Sequence, residues 1–211
     1  MLDELKEANS YIYEKLNKLK KDELIVAIEK DAIENNVPII TPEVAEYLKF
    51  YIRNSNIKNI LEIGTATGYS AILMAKECLK REGNVVTIEI DEKRREKALI
   101  NINNSGLKNI KSILGDASDV IPDINEKFDF IFIDASKGQY LDFFNKSYEK
   151  LDTGGIIFID NIMFRGYLYK EEKPKKYRTI IRKLDEFIDE LYQKYDFILL
   201  PFGDGIGIVK K

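Results

Sequence analysis

The sequence predicts an α/β protein built on one mostly parallel, seven-stranded sheet, with helices on both faces and additional helices at the N-terminus. Strand and helix patterns alternate from residue 59 to residue 160, as in parallel strands joined by crossover helices. The strand-like runs are nearly continuous Ile, Val and Phe, which is typical of strands buried on both faces. The length of 211 residues suits one domain, residues 1–211.

The predicted elements begin with helices and continue with the sheet. Helical periodicity forms an N-terminal helical cap, residues 1–55, with helices at 3–19, 22–35 and 42–54. The core, residues 56–211, alternates strands at 59–64, 84–90, 110–116, 128–134 and 154–160 with helices at 69–81, 92–104 and 139–150. A helix at about 176–194 precedes "YDFILLPFGDGIGIVKK", whose Gly-rich turn predicts a C-terminal antiparallel hairpin.

The composition excludes several classes of function. The chain has no histidine, so the commonest general base is absent and any metal must be bound by oxygen. The formal net charge of −3 argues against a broadly basic nucleic-acid-binding protein, but it does not exclude a local basic patch. No apolar run approaches the ~20 residues that span a bilayer. The N-terminus lacks the apolar core of a signal peptide and Cys78 is the only cysteine, so we expect a cytoplasmic protein with no membrane partner.

The segment "LEIGTATGYSA" runs from the first strand through a short loop into a helix, as in the first crossover of a Rossmann-like sheet. Gly64 and Gly68 have G-x-x-x-G spacing, which misses the dinucleotide fingerprint and counts against NAD or FAD. We expect Gly64 to let a ligand approach the backbone. Glu89 ends the second strand, where it can accept hydrogen bonds from a ribose, and Asp116 and Ala117 can border an adenine ring. Taken alone, Gly64 and Gly68 could be turn glycines and Glu89 a surface residue, but three strand ends in register favour a nucleoside site.

Two further strands end in acidic residues. Asp134 follows "FDFIFI", and Asp160 with Asn161 follows "GGIIFI". Because the carboxyl ends of parallel strands share one edge of the sheet, these oxygens converge, and an all-oxygen site favours Mg²⁺ or Mn²⁺. A lone Asp at a strand end is more often a helix cap or turn former. The pair together with the amide favours a metal site.

From about Pro38 to Val209 the chain resembles the class I S-adenosylmethionine-dependent methyltransferases, and within them the metal-dependent O-methyltransferases of the catechol and caffeoyl-CoA type. "LEIGTATGYSA" is similar to the cofactor loop of that family, "TIEID" to its ribose-binding acid, and "FIDASKGQY" with "FIDN" to its metal site. The resemblance implies that S-adenosylmethionine is surrounded by Ile40, Thr41, Glu62, Gly64, Ser70, Glu89, Asp116, Ala117 and Asp134. It implies metal ligands at Asp134, Asp160 and Asn161, and catalytic roles for Lys137 and Asp134.

The implied chemistry gives Lys137 two alternative roles. Methyl transfer from a sulfonium to a hydroxyl needs an aligned, oxyanion-like nucleophile, and a divalent cation bound to that oxygen lowers its pKa. Lys137 either accepts the proton or stabilises the developing negative charge. Its simpler interpretation is a solvated lysine at the start of a helix. Its place three residues after Asp134 favours the functional interpretation.

A basic segment follows the last metal ligand. Between Arg165 and Lys183 there are eight Lys or Arg against two Glu, so this segment is either a solvated surface or a phosphate-binding rim. The rim would consist of Arg165, Lys175, Lys176 and Arg178, with Tyr167, Tyr169 and Tyr177 available to stack on bases. "DASKGQYLDFF", "DNIMFRG", "IRKLDEFIDEL" and "PFGDGIGIVKK" resemble the bacterial tRNA 5-hydroxyuridine methyltransferases, which implies a tRNA anticodon loop as partner and 5-methoxyuridine at the wobble position as product.

Three alternatives stay open at the level of sequence. "ITP" at residues 40–42 looks more like the small-molecule branch of the family, so a catechol-like phenol is a second candidate acceptor. A nicotinamide-dependent oxidoreductase fits the sheet but not the glycine spacing, and a catalytically silent binding protein fits poorly with a complete set of acidic residues and Lys137. The apolar residues of the N-terminal helices could support a homodimer, or they could equally cover the sheet and close the active site. The resemblance implies a homodimer, because the family usually dimerises.

Overall fold

Helices precede the sheet, as the periodicity predicts. The computed structural model describes residues 2–19 and 22–211 and contains, before the first strand, α1 (Leu2–Leu16), α2 (Glu23–Glu34) and α3 (Pro42–Asn54). The first helix is shorter than predicted, because residues 17–19 form a turn. Asp22 caps α2 by accepting the N–H of Leu24 at 2.9 Å, and the fixed φ of Pro42 suits the first position of α3.

The predicted strands form a single sheet in the described part of the chain. They are β1 (Asn59–Ile63), β2 (Asn84–Glu89), β3 (Ile110–Leu114), β4 (Phe128–Ile133), β5 (Leu151–Ile159), β6 (Asp196–Leu200) and β7 (Ile206–Lys210). Their order is β3-β2-β1-β4-β5-β7-β6. Strands β1 to β5 are parallel, and β7 is antiparallel to both β5 and β6. The fold class is therefore confirmed, including the C-terminal hairpin, whose second strand lies next to β5.

Helices cover both faces of the sheet. They are α4 (Tyr69–Cys78), α5 (Glu92–Ser105), α6 (Ala117–Asp123), α7 (Tyr140–Lys150) and α8 (Arg178–Lys194). Since side chains alternate along a strand, Ile60 packs with α2 to α5 on one face and Leu61 packs with α6 to α8 on the other. Helix α6 has no counterpart in the predicted elements, because its seven residues include Pro122 and are too few to show a period.

The strand order creates a switch point at the centre of the sheet. Chain connections run outward from β1 to β2 and β3 on one side, and to β4 and β5 on the other. Ligands of open α/β sheets bind outside the carboxyl ends of the strands at such a point. None of the helices among residues 2–19 and 22–211 combines the length and apolar character needed to cross a membrane.

Candidate active site

A cavity of about 560 Å³ opens at the carboxyl edge of the sheet. The ends of β1 to β5 and the loops that follow them line it. The sequence-predicted residues that line it are Gly64, Glu89, Asp116, Ala117, Asp134, Lys137, Asn161 and Arg165. Residues up to 101 positions apart in the chain are thus brought to one cavity, and each lies at the end of a strand or in the segment that follows it, as the sheet-edge argument requires.

The other predicted cofactor residues lie at the margin of this cavity or beneath it. Ile40 and Ser70 line a small adjoining cavity, which shares Gly64 and Asp134 with the larger one. Thr41 lines neither cavity. Its hydroxyl is buried without a hydrogen-bond partner in the described residues and lies beside Gly203 in the β6–β7 turn. A role for Thr41 in cofactor binding stays a prediction.

Glu62 is fully buried beneath the loop that joins β1 to α4. Its carboxylate accepts hydrogen bonds from the hydroxyls of Ser70 and Thr87, both at 2.5 Å. The Thr87 hydroxyl also lies 2.5 Å from that of Thr65. Burial, which disfavours the charged form, raises the pKa of Glu62 to about 8, although both hydroxyl contacts act in the opposite direction. Glu62 therefore holds the start of the loop and does not line the cavity.

Gly64 has a structural role that the sequence does not reveal. A Cβ at this position would lie 2.0 Å from the carbonyl oxygen of Asp134, and its φ is +101°. The ends of β1 and β4 thus approach too closely for any side chain. Gly64 lines the cavity as expected, but its first requirement is this contact with the neighbouring strand.

The carboxylates at the ends of β2 and β3 are fixed by backbone N–H groups. Glu89 is buried and accepts from Ala66 at 2.8 Å and from Asp91 at 3.0 Å. Asp116 caps α6 by accepting from Ser118 at 2.8 Å. Asp116 is therefore a helix cap, a role that the sequence did not predict for it, and the same residue also lines the cavity. Each carboxylate oxygen has two lone pairs, so both groups keep acceptor capacity for a ligand.

Lys137 contacts residues that follow both β4 and β5. Its ammonium lies 3.7 Å from a carboxylate oxygen of Asp134. It donates to the side-chain oxygen of Asn161 at 3.4 Å and to the carbonyl of Ala135 at 3.3 Å. Its position also places it 5.3 Å from the centre of the Tyr140 ring. Asp134, Lys137 and Asn161 thus form one polar cluster at the cavity wall.

Asp160 is the least satisfied carboxylate of the site. It is 1% exposed, and one oxygen accepts the N–H of Asn161 at 2.7 Å. The other oxygen is buried and has no hydrogen-bond partner in the described residues. Burial, followed by the nearby charge of Asp134, raises the pKa of Asp160 to about 7, and burial also raises the pKa of Asp134. A buried carboxylate without a partner is costly unless a cation compensates it.

The donor set at this position fits a hard divalent cation. Two carboxylates and an amide oxygen are the ligand types that Mg²⁺ and Mn²⁺ prefer. No cluster of three or more His, Cys, Asp or Glu suited to a metal occurs within residues 2–19 and 22–211. The amide of Asn161 would therefore have to serve as the third protein ligand beside Asp134 and Asp160.

The residues of the predicted RNA rim divide into two groups. Arg165 lines the cavity, whereas Lys175, Lys176 and Arg178 are exposed at the start of α8 and line no cavity described here. None of these four side chains forms a salt bridge with another described residue. Of the predicted stacking residues, Tyr169 is 71% exposed.

An aromatic cluster connects the cavity to this basic segment. The Phe164 ring lines the cavity and packs edge-on against Tyr167 and Tyr177, with ring centres 5.6 and 5.1 Å apart. Phe164 was missed in the sequence, as were the cavity residues Pro38, Arg94 and Asp204. Of these residues, only Asp204 could have been suspected from the sequence, because it lies between two glycines in a predicted turn.

The sheet order and the cavity at its switch point define a Rossmann-like protein. The sequence profile of a family described as O-methyltransferase matches residues 6–211, so the chain belongs to this O-methyltransferase family. It is 34% identical over 162 residues to a catechol O-methyltransferase of Niastella koreensis, covering 74% of this chain and 73% of the relative.

Solved structures agree with this assignment. A Staphylococcus aureus protein, whose proposed activity is that of a caffeoyl-CoA O-methyltransferase, is 28% identical and has a TM-score of 0.87, with 96% of this chain and 98% of that chain covered. An O-methyltransferase of Bacillus cereus in complex with S-adenosylhomocysteine is also 28% identical, with a TM-score of 0.79 and coverage of 92% and 93%.

Proposed function

We propose that this protein transfers the methyl group of S-adenosylmethionine to one of two neighbouring oxygens of its acceptor, with the help of Mg²⁺ or Mn²⁺. The observation that carries the proposal is the unpartnered, buried oxygen of Asp160 beside Asp134 and Asn161. A protein of this family that binds no cation there would keep a buried carboxylate without compensation. The Bacillus cereus relative bound to S-adenosylhomocysteine supports the choice of methyl donor.

The cofactor would occupy the half of the cavity formed by β1, β2 and β3. Glu89 would accept hydrogen bonds from the ribose, and Asp116 with Ala117 would border the adenine ring. Gly64, Ser70 and Ile40 would surround the methionine end, with Thr41 next to them and Glu62 supporting the loop. This half contains carboxylates that are already oriented by N–H groups and hydroxyls, so little reorganisation is needed on binding.

The cation would be held by Asp134, Asp160 and Asn161, and it would supply the lowered pKa and fixed position of the acceptor hydroxyl. Lys137 would contribute a positive charge next to the same oxygen. Its neighbours are the acceptor atoms of Asp134, Asn161 and Ala135, which favours a donating ammonium. Of the two roles open to Lys137, we therefore propose electrostatic stabilisation of the developing oxyanion.

The first candidate acceptor is 5-hydroxyuridine at the wobble position of a tRNA, whose hydroxyl and adjacent carbonyl are neighbouring oxygens. The exposed cations Lys175, Lys176 and Arg178, which form no salt bridge with a described residue, would contact phosphates, and Arg165 would do so at the cavity. The exposed ring of Tyr169 would be available for base stacking. An anticodon loop offers an unstacked base that can enter such a pocket.

The second candidate acceptor is a small catechol-like phenol, which presents the same pair of oxygens. The relation to a catechol O-methyltransferase of Niastella koreensis favours it. In that case the basic segment would be a solvated surface. The two candidates differ in whether activity depends on that segment.

The test is methyl transfer from labelled S-adenosylmethionine to tRNA carrying 5-hydroxyuridine and, in parallel, to catechol, each with Mg²⁺ and with EDTA. We expect Mg²⁺-dependent 5-methoxyuridine, detected by mass spectrometry of nucleosides. Methylated catechol with unmodified tRNA would assign the small-molecule acceptor. Equal transfer in EDTA would refute the role of the cation.

A further inference from the structure

The turn between β6 and β7 holds the loop that follows β5, and Asp204 makes most of the contacts. Its carboxylate accepts the backbone N–H groups of both Arg165 and Gly166, the second at 2.9 Å. Backbone carbonyls of the same turn accept the N–H groups of residues 162 and 163, at 3.1 and 2.9 Å. The turn therefore binds four of the six N–H groups of residues 161–166 from outside the loop itself.

The loop needs such support because of its backbone conformation. Asn161, Phe164 and Arg165 have φ values of 53°, 48° and 58°. Residues that carry a Cβ rarely adopt this left-handed region, and they keep it only where the surroundings impose it. The two N–H groups bound by the Asp204 carboxylate belong to, or directly follow, the last of these three residues.

The residues in this conformation are also the ones that line the cavity. Asn161, Phe164 and Arg165 face it together with Asp204 itself. By contrast, Glu89 and Asp116 are held by N–H groups of other segments, with no contribution from the β6–β7 turn. A change at Asp204 thus reaches one side of the cavity only.

We propose that Asp204 is a positioning residue of the acceptor site, which holds Phe164 and Arg165 in the orientation that binds the acceptor. The inference rests on the proposed function, since it assigns this side of the cavity to the acceptor. Asp204 acts through the loop and takes no part in the chemistry. It therefore determines the KM of the acceptor and leaves the affinity for the cofactor unchanged.

The kinetic test compares Asp204→Ala and Asp204→Asn with Asp196→Ala, which removes an exposed carboxylate from β6 of the same hairpin. For Asp204→Ala we expect the KM of the acceptor to rise about tenfold, because two hydrogen bonds to a charged group are lost. The Asn variant keeps one accepting oxygen, so its KM should lie between those of wild type and Asp204→Ala. Binding of S-adenosylhomocysteine, measured by calorimetry, should stay at the wild-type value in all three. Catechol and tRNA with 5-hydroxyuridine serve as acceptors.

Limited digestion with trypsin tests the same inference without any activity. The bond between Arg165 and Gly166 is a trypsin site whose two flanking N–H groups are both bound by Asp204. We expect cleavage there to accelerate about tenfold in Asp204→Ala, through more frequent local opening. Cleavage after Lys108, an exposed residue that precedes β3, serves as the internal control and should not change.

The kinetic test and the trypsin test examine two separate claims, that Asp204 positions the acceptor site and that it fixes the loop. Unchanged KM in Asp204→Ala would overturn the acceptor role, whatever the trypsin rates. Unchanged trypsin rates would overturn the claim that Asp204 fixes the loop. If the wild-type protein methylates neither acceptor, the proposed function fails, and the trypsin rates alone judge Asp204. Should the Ala variant fail to fold, Asp204→Asn carries both tests.

Discussion

The two halves of the cavity differ in how well the protein satisfies its own carboxylates. On the side of β1 to β3, the carboxylates of Glu62, Glu89 and Asp116 all accept hydrogen bonds from hydroxyls or backbone N–H groups. On the side of β4 and β5, Asp160 keeps one buried oxygen without a partner among the described residues. Three left-handed cavity residues with a Cβ, Asn161, Phe164 and Arg165, also lie on this side, whereas the other side has one, Ala66.

This difference supports the proposal that the first half is complete in the protein alone, while the second would be completed by a bound cation. Preorganised groups bind a ligand with little ordering cost, as suits a cofactor used in every turnover. In the second half, the proposed cation would supply the compensation that a buried charge needs. The predictions below each separate the two halves.

The largest effect is expected at the incomplete half. Asp160→Ala should lower turnover by about 10³-fold, because a bound cation contributes several kcal/mol to transition-state stabilisation. Affinity for S-adenosylhomocysteine should change little. The measurement is kcat together with calorimetric titration of the cofactor product. Asp123→Ala, which removes an exposed carboxylate at the end of α6, is the control, and wild-type turnover in Asp160→Ala would remove the metal site from the mechanism.

A smaller effect is expected at the basic segment. Reversing Lys175, Lys176 and Arg178 to Glu should weaken tRNA binding and lower by about two the slope of its dependence on salt, since three phosphate contacts are lost. Transfer to catechol should be unaffected. Binding is measured at several salt concentrations. The control is a triple variant in which three exposed lysines elsewhere are replaced by Glu, with the same change in net charge: Lys93, Lys108 and Lys111. An equal loss of tRNA affinity in both triple variants would mean that net charge, and not this segment, determines binding.

At the complete half, Glu89→Gln should weaken binding of S-adenosylhomocysteine about tenfold, because one charged acceptor for the ribose is lost. The amide oxygen still accepts one of the two N–H groups that Glu89 binds, so the loop keeps part of its support. At saturating cofactor, kcat should stay close to wild type. Glu96→Gln, at an exposed position of α5, is the matched control. Unaltered affinity in Glu89→Gln would argue against the ribose assignment.

The remaining effect concerns the pH dependence of stability. At pH values between 4.5, the ordinary pKa of a Glu side chain, and about 8, the pKa of Glu62 in the folded protein, Glu62 keeps its proton when folded but loses it on unfolding. The free energy of unfolding should therefore fall as the pH rises through this window. Urea unfolding of the EDTA-treated protein at about pH 5 and about pH 8 should show a smaller fall for Glu62→Gln than for wild type. An identical fall in both would mean that Glu62 is ionised in the folded protein.

The sequence predicted the strand ends well and the loops poorly. Asp134 and Asp160 were placed at one edge because buried parallel strands have continuous apolar runs, and such runs end visibly. The close approach that requires Gly64 involves Asp134, 70 positions away, and no local pattern records it. Helix α6 was too short to show a period.

The same reason explains why Phe164 and Asp204 were missed. The left-handed backbone of residues 164 and 165 is imposed by hydrogen bonds from a turn that is 39 positions distant in the chain. Propensity concerns neighbours in sequence, and neither Phe nor Arg favours this conformation. Such a conformation is visible only once the strand order has brought β7 next to β5.

The most direct test of the difference between the halves is a pair of calorimetric titrations on the EDTA-treated protein. We predict that S-adenosylhomocysteine binds equally well with and without Mn²⁺, and that Mn²⁺ binds wild type but not Asp160→Asn. Cofactor binding that requires Mn²⁺ would contradict the claim that the half formed by β1 to β3 is complete. Wild-type Mn²⁺ affinity in Asp160→Asn would contradict the claim that the other half is completed by a cation.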